Sequence, residues 1–169
     1  MRQPPRCMHP WEPLDVQFVE RINANLSRTA ALEPGVLRTA QNIMVRTALG
    51  SYVPPVPNRD ELASVIADIQ ATDGTLTDAS RLFAVLAKAQ PFGDGNKRTA
   101  LLAANQLLMI KGCNQVLVVP VDDPDRTEFN TLLGEWYVNG NSDVIRWLAD
   151  YNNNVDGLDR FGHAVPSED

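Results

Sequence analysis

Cysteine and histidine are nearly missing from this chain, with two of each in 169 residues. Cys7 and Cys113 stand far apart, which excludes a disulfide framework and any zinc-type spacing. Cys7-Met8-His9 is the nearest approach to a metal-ligating string, and no second cluster completes it. His9 and His163 fall in segments read as tails, where each reads as a solvated surface residue. A basic surplus is missing too: 15 Lys and Arg face 21 Asp and Glu, for a net charge of −6. That balance excludes a global field for nucleic acid, so any affinity for phosphate must be local. No run approaches the roughly 20 apolar residues that cross a bilayer, so no membrane partner is expected. Met1 to Pro13 holds four prolines and no apolar stretch of the signal-peptide kind, which makes a cytoplasmic location the expectation.

What is present suits a single domain, since 44% of the residues are hydrophobic and the length allows a sizeable core. Residues 1–13 read as an N-terminal tail, 14–151 as the domain and 152–169 as a polar C-terminal tail. Leu14, Phe18, Ile22 and Leu26 recur every four residues and predict a helix. Pro34 suits the first turn of a second helix running to about Val45. Further helices are expected over Arg59 to Ala71, Ala79 to Ala89 and Lys97 to Lys111. Another opens at Asp123-Pro124, and a last one ends near Tyr151. The Lys97–Lys111 run is apolar on nearly all sides, which places it at the centre with Gly112 closing it. Val116 to Val121 is β-branched and short, equally a strand or a buried turn. In Gly50 to Pro57, three prolines exclude helix and central strand, leaving a rigid linker or a hairpin-like docking loop.

One stretch carries chemistry: Ala89-Gln90-Pro91-Phe92-Gly93-Asp94-Gly95-Asn96-Lys97-Arg98-Thr99-Ala100. A helix N-terminus offers unpaired N–H groups and partial positive charge, a natural seat for an anion. Gly93 and Gly95 allow positive φ and a close approach of phosphate. Lys97 and Arg98 add charge, Arg98 as a fork that can clasp two oxygens. Asp94 is the only carboxylate there, enough for a Mg²⁺ ion held mainly by substrate phosphates. These residues point to a metal-bound polyphosphate; the plain alternative is a glycine turn with solvated charges.

The string resembles the signature of the Fic/Doc family, His-x-Phe-x-Asp-Gly-Asn-Gly/Lys-Arg. Phe92, Asp94, Gly95, Asn96, Lys97 and Arg98 match it, whereas Gln90 stands where the family has histidine. Pro34 to Ile43 also looks like the family's pattern upstream of the loop. The resemblance implies an all-α fold: a small helical bundle around one buried central helix, with a short β-hairpin flap. It implies transfer of AMP from ATP to a protein Ser, Thr or Tyr, with the motif histidine as base. Asp94 would hold Mg²⁺, while Asn96 and the amides of Gly93, Gly95 and Lys97 would hold phosphate. Arg98 would clamp the polyphosphate, Phe92 would anchor the loop, and Tyr52, Val53 and Pro54 would form the flap that docks a target by strand addition. Lys97, and Leu101 in place of a second arginine, are similar to the Doc branch, in which the γ-phosphate itself is transferred.

Gln90 opens three readings, because a carboxamide hydrogen-bonds but cannot take a proton near neutral pH. The protein is a slow or altered nucleotidyltransferase or Doc-like kinase acting on a hydroxyl. Or it is an inactive nucleotide-binding regulator. Or it transfers to an acceptor already ionised, a carboxylate or phosphate, which Gln90 orients. A fourth possibility is a docking module on the Tyr52–Pro57 loop with a vestigial phosphate site. Thr29-Ala30-Ala31-Leu32-Glu33 is the nearest string to the family's inhibitory helix, but Pro34 follows it and Glu33 reads as a helix-end residue. An inhibitor, if one exists, is then a separate antitoxin-like protein.

Overall fold

Residues 12–26, 31 and 33–154 are described in this computed structural model. They form six helices and one two-stranded hairpin, an all-α fold with a small β element. Cys7, His9, His163, Thr29, Ala30 and Leu32 lie outside the described residues. Helix α1 (Val16–Asn25) starts where the Asp15 carboxylate accepts the Phe18 N–H at 2.7 Å. Strands β1 (Val45–Thr47) and β2 (Gly50–Tyr52) pair antiparallel in the register Arg46 to Ser51. Helices α2 (Arg59–Gln70), α3 (Leu76–Ala89) and α4 (Asn96–Ile110) follow, then α5 (Asp125–Asn139) and α6 (Asp143–Asn154). Among the described residues no helix is long and apolar enough to cross a membrane.

Helix α4 is central because its inner face is small and apolar. Ala100, Ala103, Ala104, Leu107 and Leu108 are wholly buried, and both α3 and α1 pack on that face. It is not apolar all round in its setting: Leu102 and Met109, seven residues apart, remain 48% and 45% exposed. Helix α3 is joined to the core by Leu82, Phe83 and Leu86, and burying such side chains stabilises a fold by about 1.5–3 kcal/mol each. A capping box between Thr75 and Asp78 holds its start.

Three expectations need correction. The helix expected from Pro34 to Val45 does not form; the chain turns at Pro34-Gly35 and runs irregularly to β1. Its backbone bonds across the molecule instead of along itself, as where the Arg38 N–H meets Pro91 O at 2.9 Å. The hairpin therefore lies earlier than the proline-rich stretch, with Ala48-Leu49 as its turn, and the prolines stay outside the ladder where a missing N–H costs nothing. For Val116 to Val121, where strand and buried turn stood equal, no strand forms. Asn105 bonds both the N–H and the C=O of Leu117 (2.8 and 2.9 Å), and Asn152 does the same for Val118 (2.8 and 3.0 Å). Two side chains thus take the place of a neighbouring strand. Asn152 was expected in a loose tail, but α6 continues through it to Asn154.

Candidate functional site

The site starts at the end of α3, where Gln90 adopts φ 44°, ψ 56°, the one non-glycine residue with positive φ among those described. A side chain in this region costs about 1 kcal/mol, so its surroundings must hold it there. They do so with every backbone and side-chain group. The N–H of Gln90 donates to Leu86 O at 3.2 Å, and its C=O accepts from Arg38 Nε at 2.7 Å. Its Nε2 donates to Ala87 O at 2.6 Å, and its Oε1 accepts from Asn96 Nδ2 at 3.0 Å. Gln90 is buried, and its carboxamide braces the loop.

Phe92 is fully buried, as an anchor should be. Asn96 staples the backbone around it, accepting from Phe92 N–H at 2.8 Å and donating to Phe92 O at 2.9 Å. The Asn96 side chain is therefore bound within the loop, and a ligand would meet its backbone N–H. The first rung of α4 runs from Thr99 N–H to Gly95 O, so the amides of Asn96 and Lys97 precede the ladder.

Only one of the two loop glycines needs positive φ. Gly95 has φ +75°, and a Cβ there would lie 2.9 Å from Leu26 Cδ1 and 3.1 Å from Asn23 Nδ2. Gly93 has no positive φ, and a Cβ would meet only Ala31 at 3.5 Å, an ordinary contact. The loop is tied to α1 here by Asn23, which sequence reasoning passed over. Wholly buried on α1, it donates to Asp94 O (2.9 Å) and Thr99 Oγ1 (3.1 Å) and accepts from Gly35 N–H (2.8 Å). Its spacing of seven and four from Val16 and Val19 was the available signal: a polar residue on a core face needs partners. Asn23→Ala is expected to lower unfolding free energy by about 2 kcal/mol, measured by urea denaturation, because it strands buried partners.

Above the loop lies an open cavity of about 540 Å³. Lys97, Arg98 and Asp94 of the loop line it, joined by Arg46 from β1. Arg98 and Asp94 stand 3.6 Å apart as a half-exposed ion pair. Lys97 is exposed, yet neighbouring protein atoms desolvate its ammonium enough to lower its pKa. A second cavity, about 430 Å³, shares Val45, Arg46 and Lys97 with the first and continues under the hairpin along Thr127, Asn130, Thr131 and Tyr137 of α5.

The hairpin rests on α5 at Gly134, where a Cβ would come 3.2 Å from Thr47 Cβ. Tyr52 stacks on Tyr137 with centroids 5.6 Å apart, Pro54 is buried, and Val53 is 45% exposed beyond the paired strand. Of the three residues expected to form the flap, only Tyr52 is on the hairpin itself. The Tyr137 hydroxyl is buried near the Gln90 carboxamide but completes no hydrogen bond, and burial raises its pKa strongly, so it stays neutral. Arg38 also went unread. Buried at 6% exposure, it donates to the carbonyls of Gln90, Ala40 and Pro55 at 2.7, 2.7 and 2.9 Å. Burial lowers its pKa, with nearby Tyr52 opposing.

Chemically, the site joins helix-end amides and cations to one carboxylate. No group of three or more His, Cys, Asp or Glu occurs among the described residues, so a self-sufficient metal cage is absent there. Asp94 alone, on the cavity wall, fits a hard cation that arrives with phosphate oxygens and water as its other ligands.

The model of the Fic/DOC family matches residues 13–108. Among solved structures the chain is similar to a Fic domain containing signaling protein from Bacteroides thetaiotaomicron, with a TM-score of 0.62 and 21% identity over 82% of this chain. The match spans 57% of that protein's chain, and at this identity it shows the fold. No curated protein matches.

Proposed function

The chain belongs to the Fic/DOC family, and from that premise we propose that it is a nucleotide-utilising transferase that binds Mg-ATP or a related nucleotide at the α4 N-terminus. One observation carries the reading. A protein of net charge −6 gathers Arg46, Lys97 and Arg98 around one cavity, at the mouth of its buried helix, against the single carboxylate of Asp94. In this reading the amides of Asn96 and Lys97 and the Arg98 guanidinium hold phosphate, and Asp94 with phosphate oxygens holds Mg²⁺. The ion would neutralise charge on the transferring group. The second cavity leaves room for the nucleoside, and a target segment would add to the hairpin edge beside it.

Transfer joins an acceptor hydroxyl oxygen to phosphorus and breaks a phosphoanhydride bond. Pyrophosphate leaves if AMP moves, ADP if the γ-phosphate moves. The hydroxyl proton finds no imidazole at position 90, so it goes to solvent and the step is slow. A positioned base contributes about 10²–10⁴-fold. The bracing of Gln90 on both sides favours a second reading, nucleotide binding without turnover, in which the protein regulates a partner. The same bracing speaks against an ionised acceptor oriented by Gln90, since both ends of the carboxamide are engaged. A cytoplasmic setting and a separate inhibitory protein remain parts of the proposal.

Calorimetric titration with Mg-ATP tests the binding. Wild type is expected to bind, and Arg98→Ala to bind about 10- to 100-fold more weakly, through loss of a charge-assisted contact. Asp94→Ala is expected to abolish the dependence of affinity on Mg²⁺. A wild type that takes up no nucleotide would overturn the reading. Lysate incubated with α- or γ-labelled ATP then separates AMP transfer, phosphate transfer and binding alone.

A further inference from the structure

Helix α4 supplies cations only in its first turn. One turn beyond Lys97 and Arg98 stand Leu101 and Leu102, and the next basic residue is Lys111, past the far end of the helix. The attraction of a helix N-terminus also fades within that turn. A polyphosphate seated there thus projects its outer charge beyond anything α4 can neutralise. The other cation on this cavity wall comes from a different element: Arg46 of β1.

Three features of Arg46 fit it for that outer charge. It borders both cavities, so it stands where a ligand passing from one to the other must run. Strand alternation turns Val45 and Thr47 toward the domain and leaves Arg46 exposed at the rim. Finally, among the described residues no carboxylate pairs with it, whereas Arg21, Arg59, Arg98, Arg126 and Arg146 each have one. In a chain with more acids than bases, that leaves an uncompensated guanidinium beside an anion site.

Resting on the nucleotide-binding reading above, we infer that Arg46 is a specificity-determining residue: it clasps the outermost phosphate and selects nucleoside triphosphates over mono- and diphosphates. A guanidinium suits the task because its planar fork can donate two parallel hydrogen bonds to one phosphate.

The test compares binding of adenosine mono-, di- and triphosphate, each with Mg²⁺, to wild type and to Arg46→Gln. Because Arg46 is exposed and its backbone pairing is unchanged, the variant is expected to keep the wild-type melting temperature. Triphosphate binding should weaken about 10- to 100-fold, with monophosphate unchanged within about twofold, so that the preference flattens. Equal weakening for all three ligands, or no weakening, overturns the role of Arg46 while leaving the site intact. If wild type binds none of the three, the nucleotide reading fails first and this inference with it.

Discussion

Gln90→His is expected to raise label transfer from ATP to protein by about 10²–10⁴-fold, the usual worth of a positioned base. The exchange is sterically modest. The imidazole Nε2 lies four bonds from Cα, as do the terminal nitrogen and oxygen of glutamine. Ala87 O and Asn96 Nδ2, now engaged by the carboxamide, are at hand to orient the ring. The gain should also carry a pH signature that wild type lacks. Only neutral imidazole accepts a proton, so the added rate is absent in acid and grows as pH rises through about 6.5, the ordinary histidine value. Rates measured between pH 5 and 8 check both points. A variant that binds Mg-ATP as wild type does, yet transfers no faster at any pH, would show that more than the base is missing.

Arg38→Met should lower unfolding free energy by about 3 kcal/mol, a large part of the roughly 5–15 kcal/mol typical of a domain. Methionine fills much of the volume but donates nothing. The carbonyls of Gln90, Ala40 and Pro55 would lose their partner, the first of them at the end of α3 where the site begins. Relief of a buried cation works the other way and keeps the loss below the sum of the separate bonds. Since the Gln90 carbonyl belongs to a residue held at positive φ, the loop should loosen as well. Urea denaturation measures the first effect. Hydrogen exchange at the amides of 92–97 measures the second, and protection unchanged there would show that Asn96 and Asn23 suffice.

The two substitutions separate what was legible from what was not. Phe92, Gly95 and the cations after it were readable because they follow one another in the chain, in an order that only a turn into a helix explains. The central place of α4 was readable from its apolar density. Arg38, Asn23 and Arg46 were not, for a common reason: each acts on groups distant in sequence. Asn23 reaches Asp94 and Thr99, more than 70 positions on (71 and 76). Arg38 reaches Gln90, 52 positions on. Local patterning puts Asn23 on a core face and Arg38 inside an expected helix, but it names no partner for either. The same blindness produced the helix expected after Pro34, since nothing nearby shows that those amides bond to Pro91.

By itself, then, the sequence marked the six helices that do form (and one after Pro34 that does not), which of them is buried, and that a glycine turn with two cations opens it, because periodicity and turn chemistry act between near neighbours. Only the tertiary structure decided that Gln90 is a brace, that Asn23 and Arg38 hold the loop, and that Arg46 shares its cavity, because those are contacts between segments that meet only when the chain has folded.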